Sequence, residues 1–417
     1  MSAPAAGAGS VIPAPPVTPV TPVTPGIPAT PAALAKACRA LLFGNFCIGC
    51  GVMVVIATLN DLARSLQVSA PAAGQLVTAA GLALALSAPL MAAVVAGYDR
   101  RRLLAASLLW FAVGHLLAAL MPNLGLLLPV RLLSVLGAAV FTPQAAAAIS
   151  LMAPAAQRGR VITHIFLGWS LASVLGMPIG AWLAETLGWR WAFNGVALLS
   201  LVAAIWVWRA LPDGIRPAAL SRADWRQVAQ RPVLLAIIGV TALSAAGQFT
   251  LSAYLAPYYR LVLAAGPAGV SGLFLWFGAV GVLGNLWVSR HIDRLGAARA
   301  VGWLQAAMAL SLLAWPLGSS LAGMALVITP WALGCFAANS AQQARLGMAA
   351  PGLAPALIAL NSSALYAGQA LGASSGGLMV ARSGYGGLHW VGLAWMLAAI
   401  GLSAWAAGAI QREPAHA

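Results

Sequence analysis

The chain has 417 residues, of which 61% are hydrophobic and only 7% are charged. About a quarter of the residues of a soluble domain are charged, so the composition excludes a soluble protein. The formal net charge is +15, but the basic residues are scattered between apolar runs, which argues against a nucleic-acid partner. At about 20 residues for each crossing of a bilayer, the length accommodates about twelve membrane spans.

The N-terminal segment is rich in proline. Nine prolines lie within the first 33 residues, and a Val-Thr-Pro triplet occurs three times between Val17 and Pro25. This composition is typical of a disordered chain with polyproline II character. The segment also lacks the basic start and the continuous apolar core of a signal peptide. We therefore expect residues 1–35 to form a disordered cytoplasmic tail.

Long apolar runs then alternate with clusters of Pro, Gly and Arg, which predicts an all-α membrane protein with twelve transmembrane helices. The runs divide into an N-terminal six-helix bundle, a cytoplasmic linker, a C-terminal six-helix bundle and a cytoplasmic tail, over residues 36–211, 212–232, 233–410 and 411–417. The predicted spans are 37–59, 73–97, 103–121, 126–152, 161–184, 191–211, 233–257, 270–289, 300–317, 321–341, 356–381 and 388–409.

The distribution of the basic residues predicts the orientation in the membrane. Cytoplasmic loops carry an excess of Lys and Arg, and an N-terminus on the cytoplasmic side puts 17 of the 22 basic residues on that side. Both termini are therefore expected in the cytoplasm, as in a multi-pass protein of the bacterial inner membrane.

Sequence signals for catalysis and for cofactor binding are missing. Lys36 is the only lysine and follows Ala35, so no phosphate-binding loop with a Gly-Lys pair exists. Cys47 and Cys50 form a CxxC pair inside an apolar run, where small packing residues are the simpler interpretation. We expect no enzyme activity, no cofactor, no metal and no bound nucleotide.

The two halves of the chain resemble each other at an offset of about 195 residues, which is typical of carriers built from repeats. Asp99-Arg100 after the second span matches Asp293-Arg294 after the eighth. The glycines of the fifth span likewise match glycines of the eleventh span.

The loop Gly97-Tyr98-Asp99-Arg100-Arg101-Arg102 resembles a motif of the major facilitator superfamily, in particular of its twelve-span drug:proton antiporter branch. This branch includes arabinose-efflux-like and chloramphenicol-resistance-like permeases. A carboxylate among arginines forms a charge-assisted latch that must break when two bundles rock. The resemblance therefore implies a gating role for five residues. They are Asp99, Arg100, Arg102, Asp293 and Arg294.

Two further stretches are similar to motifs of the same family. Arg131 corresponds to its fourth-span arginine and is either an anchor that snorkels to the interface or a functional base, with Asp61 as its expected ion-pair partner. The fifth span resembles the antiporter motif, whose small residues let helices approach closely. This antiporter-like ridge consists of Gly168, Gly176, Pro178 and Gly180.

The resemblance also implies that spans one, four, seven and ten surround a central path. Their polar and aromatic residues are the expected substrate contacts: Asn45, Arg131, Gln144, Gln248, Tyr254, Trp331 and Asn339. Uncharged amides and a phenol between apolar walls favour a neutral, moderately polar or amphipathic substrate. The alternative for each amide is that it joins neighbouring helices.

Proton coupling is implied by the resemblance, but the sequence offers no carboxylate to carry it. All seven acidic residues are predicted in loops, tails or helix ends, whereas carboxylates are the usual proton carriers within the membrane. His115 is the one histidine well inside a predicted span. It is either a packing residue or a proton site.

The leading functional hypothesis is a secondary-active exporter of a drug, sugar or metabolite that works by alternating access. An importer or facilitator of a neutral solute is the first alternative, and a transport-dead receptor or scaffold is the second. The expected partners are a small-molecule substrate, the lipid bilayer and, by resemblance, protons. The monomer is the expected functional unit.

Overall fold

The computed structural model describes residues 30–95, 97–154, 157–216, 222–350 and 353–412, and all regular secondary structure in these ranges is helical. A π-helical turn, Ala172–Gly176, joins α5 to α6. In chain order the helices are α1 (Pro31–Ser65), α2 (Ala70–Val94), α3 (Arg100–Leu120), α4 (Leu124–Met152), α5 (Arg158–Leu171), α6 (Met177–Thr186), α7 (Trp189–Ala210), α8 (Arg222–Ala229), α9 (Pro232–Ser252), α10 (Leu255–Leu261), α11 (Pro267–Leu295), α12 (Ala297–Leu313), α13 (Leu321–Ala349), α14 (Ala354–Ser383) and α15 (Leu388–Arg412).

If α5 with α6 and α9 with α10 are each counted as one segment, the described part of the chain contains twelve long helical segments. Ten of them are long and apolar enough to cross a membrane. The other two are α12, which has 17 residues, and α14, which has 30 residues but carries amides and hydroxyls along its length. The all-helical membrane fold predicted from the sequence is confirmed.

Polar side chains at the starts of several helices explain where those helices begin. Thr30, Asp99, Asn123 and Ser320 each accept a hydrogen bond from the backbone N–H three residues further on, at the starts of α1, α3, α4 and α13. Such capping satisfies one of the amides that a helix leaves unpaired at its N-terminus.

Helix α1 begins within the segment that the sequence predicts as the N-terminal tail. Pro31 is its first residue, a position that suits proline because the N–H there has no partner within the helix. The rest of the predicted tail, residues 1–29, lies outside the described residues. Its disorder stays a prediction.

The predicted linker contains a short helix, α8. Val228 of this helix is fully buried in an apolar cluster. The cluster includes Leu346, near the end of α13, and Leu353, just before α14, and Trp225 packs against it. The linker is therefore docked on the second half of the chain at this point.

The contacts between the long helices place them in two groups of six, which we call the first and the second bundle. In the first bundle, α1 packs against α4, α5, α6 and α7, and α3 packs against α4 and α7. In the second bundle, α9 packs against α14 and α15, and α13 packs against α11 and α12. The bundles meet where α2 packs on α14 and where α11 packs on α6 and on the π-helical turn.

The molecule has two distinguishable ends. We call the end that holds α8 and the starts of α1 and α9 the linker end, and the opposite end, which holds α10 and the ends of α1, α6 and α14, the far end. Two hydrogen bonds join the first half of α2 to the second half of α14, one between Val77 and Gln369 and one between Thr78 and Ser374. These contacts therefore lie toward the far end.

Candidate functional site

Tyr254 lies at the junction of the two bundles at the far end. Its ring is 1% exposed, and its hydroxyl donates a 2.9 Å hydrogen bond to the Ala373 carbonyl of α14. Gly74 of α2 and Gly377 of α14 lie against the ring, and a side chain at either position would collide with it. The sequence assigned Tyr254 to the central path, and the structure places it where the bundles close.

A charged contact also joins the bundles at the far end. Glu185 of α6 and Arg260 of α10 form an ion pair with an N–O distance of 3.7 Å. Asn60 of α1 donates a 3.3 Å hydrogen bond to the other carboxylate oxygen of Glu185. The Glu185 side chain is only 5% exposed, so Asn60 and Arg260 replace the hydrogen bonds that the carboxylate would make with water.

Two amide and hydroxyl bridges between α2 and α14 continue this closure. Gln369 donates to the Val77 carbonyl at 3.4 Å, and Ser374 donates to the Thr78 hydroxyl at 3.4 Å. Together with Tyr254, they make the far end a polar seam between the two bundles. Sequence analysis missed Glu185, Arg260 and Gln369, because no single-chain pattern indicates which loops face each other across bundles.

At the linker end, Asp99 binds backbone groups at the start of α3 and in the linker segment after α7. One carboxylate oxygen accepts from the Arg102 N–H at 3.2 Å, and the other accepts from the Gly214 N–H at 2.5 Å. The Arg100 guanidinium donates to the carbonyls of Val95 and Tyr98 at 2.9 and 2.7 Å. Asp99 therefore caps α3 and fastens the segment after α7 to the loop after α2.

Among the described side chains, no hydrogen bond or ion pair joins Asp99 to the second bundle in this conformation. Arg102 lines an open cleft at the linker end with Tyr98, Asp99 and Arg216. In the second half, Arg294 is exposed, and the side chain of Asp293 lies outside the described residues. A latch that forms in another conformation stays a prediction.

Arg131 lies at the centre of a buried cluster in the first bundle. It is 1% exposed, and its guanidinium donates to the Gly51 carbonyl at 2.7 Å, to the Val52 carbonyl at 3.3 Å and to Nε2 of His115 at 2.9 Å. The side chain thus points into the bundle and does not snorkel toward a membrane surface.

The hydrogen-bond pattern assigns the tautomer of His115. Because a guanidinium has no acceptor, Nε2 of His115 must accept the bond from Arg131, which leaves the proton on Nδ1. That nitrogen lies 2.8 Å from the Phe111 carbonyl and donates to it. A protonated imidazole would turn Nε2 into a second donor facing Arg131. The arrangement favours the packing interpretation of His115 over a proton site.

The expected ion pair between Asp61 and Arg131 does not form, and each residue has other partners. Asp61 accepts 2.7 Å hydrogen bonds from Arg64 and from the Trp189 N–H, and the left-handed backbone of Gly188 (φ 102°) precedes that N–H. Arg131 reaches α1 at Gly51, ten residues before Asp61 and so about 15 Å away along the helix axis. The two charges therefore cannot meet.

The antiporter-like ridge packs against α1 of its own bundle. Gly168 lies against the Leu42 carbonyl, Gly176 against the sulfur of Cys50 and Gly180 near Ala57. Pro178 follows the π-helical turn in the first turn of α6; its missing N–H removes one bond from the helical ladder, which accounts for the irregular turn.

Contact between this helix and the second bundle instead depends on a glycine of α11. A methyl group at Gly278 would come within 2.7 Å of the Ser173 carbonyl, inside the π-helical turn. The sequence predicted close helix approach at the ridge, and in the structure the close approach between the two bundles is at Gly278. A lone glycine in an apolar run gives no signal that distinguishes it from the many others in this chain.

Polar side chains cluster inside the second bundle. A pocket there is lined by Thr241, Ser244 and Gln248 of α9, Gln305 of α12, and Asn339 and Gln342 of α13. The Thr241 hydroxyl donates to the Asn361 side-chain oxygen at 2.5 Å, and Asn361 donates to Asn339 at 3.2 Å. Gln248 and Asn339 were predicted as path residues, whereas the search of spans one, four, seven and ten missed the others.

The remaining predicted path residues do not line this pocket. Asn45 donates to the Ile165 carbonyl at 3.1 Å and accepts from Thr142 at 2.9 Å, so it joins α1, α4 and α5. Gln144 is buried in the same bundle. Trp331 is fully buried and packs edge-on against Phe277 and Trp315. Within the described residues, no group of three or more His, Cys, Asp or Glu side chains is placed to hold a metal ion.

Comparison with known proteins identifies the relatives of the chain. Residues 41–355 match the family model described as Major Facilitator Superfamily. The chain is 29% identical over 344 residues to the "Inner membrane transport protein YdhP" of Escherichia coli strain K12, a match that covers 82% of this chain and 88% of that protein. It is 30% identical over 279 residues to the "Chloramphenicol resistance protein" of Streptomyces lividans, which covers 66% of this chain and 70% of that protein.

The fold is similar to that of solved structures. A crystal structure of a bacterial homolog to the human lysosomal transporter Spinster, in an inward-facing and unoccupied conformation, superimposes with a TM-score of 0.74 over 93% of this chain and 100% of that chain, at 16% sequence identity. At that identity the likeness extends to the fold alone.

Proposed function

Because the chain belongs to the Major Facilitator Superfamily, and is a secondary-active transporter spanning the bacterial inner membrane several times, we propose that it exports a small neutral or amphipathic compound. The export direction draws support from its similarity to a "Chloramphenicol resistance protein" and from the glycines and Pro178 that resemble an antiporter motif. Transport proceeds by alternating access, in which two bundles rock about a central path.

The observation that carries this proposal is the polar seam at the far end. Tyr254, the Glu185–Arg260 pair and the α2–α14 bridges join the two bundles there. At the linker end, the bonds described for Asp99 go to the start of α3 and to the linker segment after α7, and not to the second bundle. A carrier closed at one end and unlatched at the other is in one of its two access states.

The positive-inside rule gives this state a direction. Placing α8 and its arginines in the cytoplasm puts the linker end inside and the far end outside. The conformation is then the inward-open state, ready to take a compound from the cytoplasm. Export requires the seam at the far end to open and a new contact to form at the linker end, where Asp99 and the arginines of its loop lie.

Proton antiport is the drive that the family resemblance implies. Among the described side chains, the acidic groups Asp61, Asp99, Glu185 and Asp213 all lie near helix ends. Glu185 is buried at the seam, where its ion pair with Arg260 must break when the far end opens. The monomer contains both bundles and is the proposed functional unit.

A growth and accumulation assay tests the function. Cells that lack their main efflux systems would express the chain, and labelled chloramphenicol and a panel of neutral compounds would be followed in intact cells. Export predicts lower steady-state accumulation and reduced growth inhibition for at least one compound. Raised uptake would instead identify an importer, and unchanged accumulation of every compound would contradict transport.

A further inference from the structure

The polar pocket of the second bundle contains hydrogen-bond acceptors that the protein leaves unused. Gln305 is 1% exposed and Gln342 is 3% exposed, and neither side-chain oxygen has a hydrogen-bond partner within the described ranges. The Gln342 amide nitrogen is already fixed by a 2.6 Å bond to the Ile237 carbonyl, which directs its oxygen. An unused buried acceptor costs about 1–3 kcal/mol.

The space between these oxygens accepts a small group. Thr241, Ser244 and Gln248 of α9 line the pocket on one side, and Gln305, Asn339 and Gln342 line it on the other. Gln248, Asn339 and Leu365 are partly exposed and form its mouth. The free space is of the size of a water molecule, so it accommodates one hydroxyl and not a whole ring.

The charge of the lining restricts the chemistry of that group. None of the lining residues is charged, so an ammonium group in the pocket would lack a counter-charge and pay the cost of desolvation. An anionic group would face the two unpaired oxygens of Gln305 and Gln342. A neutral hydroxyl donates its one proton to one of these acceptors and can accept in turn from a side-chain amide.

Resting on the proposed function, we propose that this pocket is a subsite for one hydroxyl group of the transported compound, and that the carrier selects neutral hydroxylated molecules. The remainder of the compound lies outside the mouth, against Gln248, Asn339 and Leu365. When no compound is bound, a water molecule occupies the same space.

Binding to pairs of compounds that differ by a single hydroxyl tests this subsite. Thiamphenicol and florfenicol form one pair, since a fluorine replaces one hydroxyl in florfenicol. Methyl galactoside and its 6-deoxy analogue methyl fucoside form a second pair. Affinities would be measured by calorimetry on the purified full-length chain in detergent, before and after the substitution Gln305→Met.

The subsite predicts that the wild-type chain binds the hydroxylated member of at least one pair roughly fivefold or more tightly than its partner, the effect of one satisfied buried acceptor. In Gln305→Met that preference should fall to about one, while the partner without the hydroxyl binds as before. The matched control is Asn194→Leu, which removes from α7 of the first bundle an amide whose oxygen is buried and unpaired. This variant should keep the preference.

Three results would overturn the assignment. Equal affinities within both pairs, or no binding of any of the four compounds, would mean that the pocket holds only water. Loss of the preference in Asn194→Leu would mean that removing any amide with a buried oxygen loosens the protein enough to abolish the preference. Export of other compounds in the accumulation assay would leave the proposed function standing in each case, so the two failures are distinguishable.

Discussion

Replacing Arg260 with Gln removes the cation that joins the bundles at the far end. The charges of the Glu185–Arg260 pair lie 3.7 Å apart, which corresponds to about 4–5 kcal/mol of attraction at an effective dielectric constant of about 20. The Arg260 side chain is 34% exposed, so screening and desolvation reduce the net contribution to about 1–2 kcal/mol. The substitution should therefore shift the ratio of closed to open far ends about fivefold to thirtyfold.

The shift is measurable as accessibility of the seam from outside. In a background with the four native cysteines replaced, a single cysteine at Thr78 would be labelled in intact cells with a membrane-impermeant maleimide. Thr78 faces Ser374 across the bundles, so its labelling reports opening. We expect labelling in Arg260→Gln to be about fivefold to thirtyfold faster than in the parent.

Arg190→Gln is the matched control. Arg190 lies at the same end, but its hydrogen bonds to Ser65 and to the Met121 carbonyl stay within the first bundle. Its removal should leave labelling at Thr78 unchanged. Equal labelling rates in Arg260→Gln and in the parent, or the same acceleration in Arg190→Gln, would refute the assignment of the ion pair as an outer gate.

Three further substitutions test other parts of the molecule. His115→Ala should lower stability by about 1–3 kcal/mol because Arg131 loses a buried acceptor; thermal unfolding in detergent measures this, and a Gln at the same position, which restores an acceptor, should recover part of the loss. Gly278→Leu should prevent close approach of the bundles and abolish export. Gly272→Leu on the same helix, where a side chain meets open space, should remain active. Equal activity of the two variants would show that Gly278 has no special role in the approach of the bundles. Asp99→Asn keeps the helix cap but removes the charge, so it should reduce turnover with normal membrane insertion, and unaltered export would argue against a charged latch.

The sequence was sufficient for the all-helical membrane fold, because long apolar runs and the basic residues between them follow directly from the cost of placing polar groups in lipid. It also placed Asp99 between the second and third spans, where the structure shows it as the N-cap of α3. The boundaries were less accurate: α1 begins at Pro31 because Thr30 caps it, and α8 forms within the linker because Val228 finds an apolar surface on the second bundle.

Pairings between residues that are distant in the chain could not be predicted from the sequence. Asp61 and Arg131 are the nearest opposite charges by predicted depth, yet the backbone of Gly51 and the imidazole of His115 satisfy the arginine instead. The seam between Glu185 and Arg260 depends on how two bundles meet, and that geometry leaves no pattern within either span. Gln305 was passed over for a similar reason, since α12 is not among the helices that the family resemblance assigns to the path.

A reversible cross-link at the far end tests most directly whether the two bundles must separate there for transport. Cysteines introduced together at Thr78 and Ser374, whose hydroxyl oxygens are 3.4 Å apart, would be oxidised in cells that export a compound found in the accumulation assay. The account predicts that oxidation stops export, that reduction restores it, and that Thr78→Cys alone is unaffected. Undiminished export by the oxidised, cross-linked protein would contradict it.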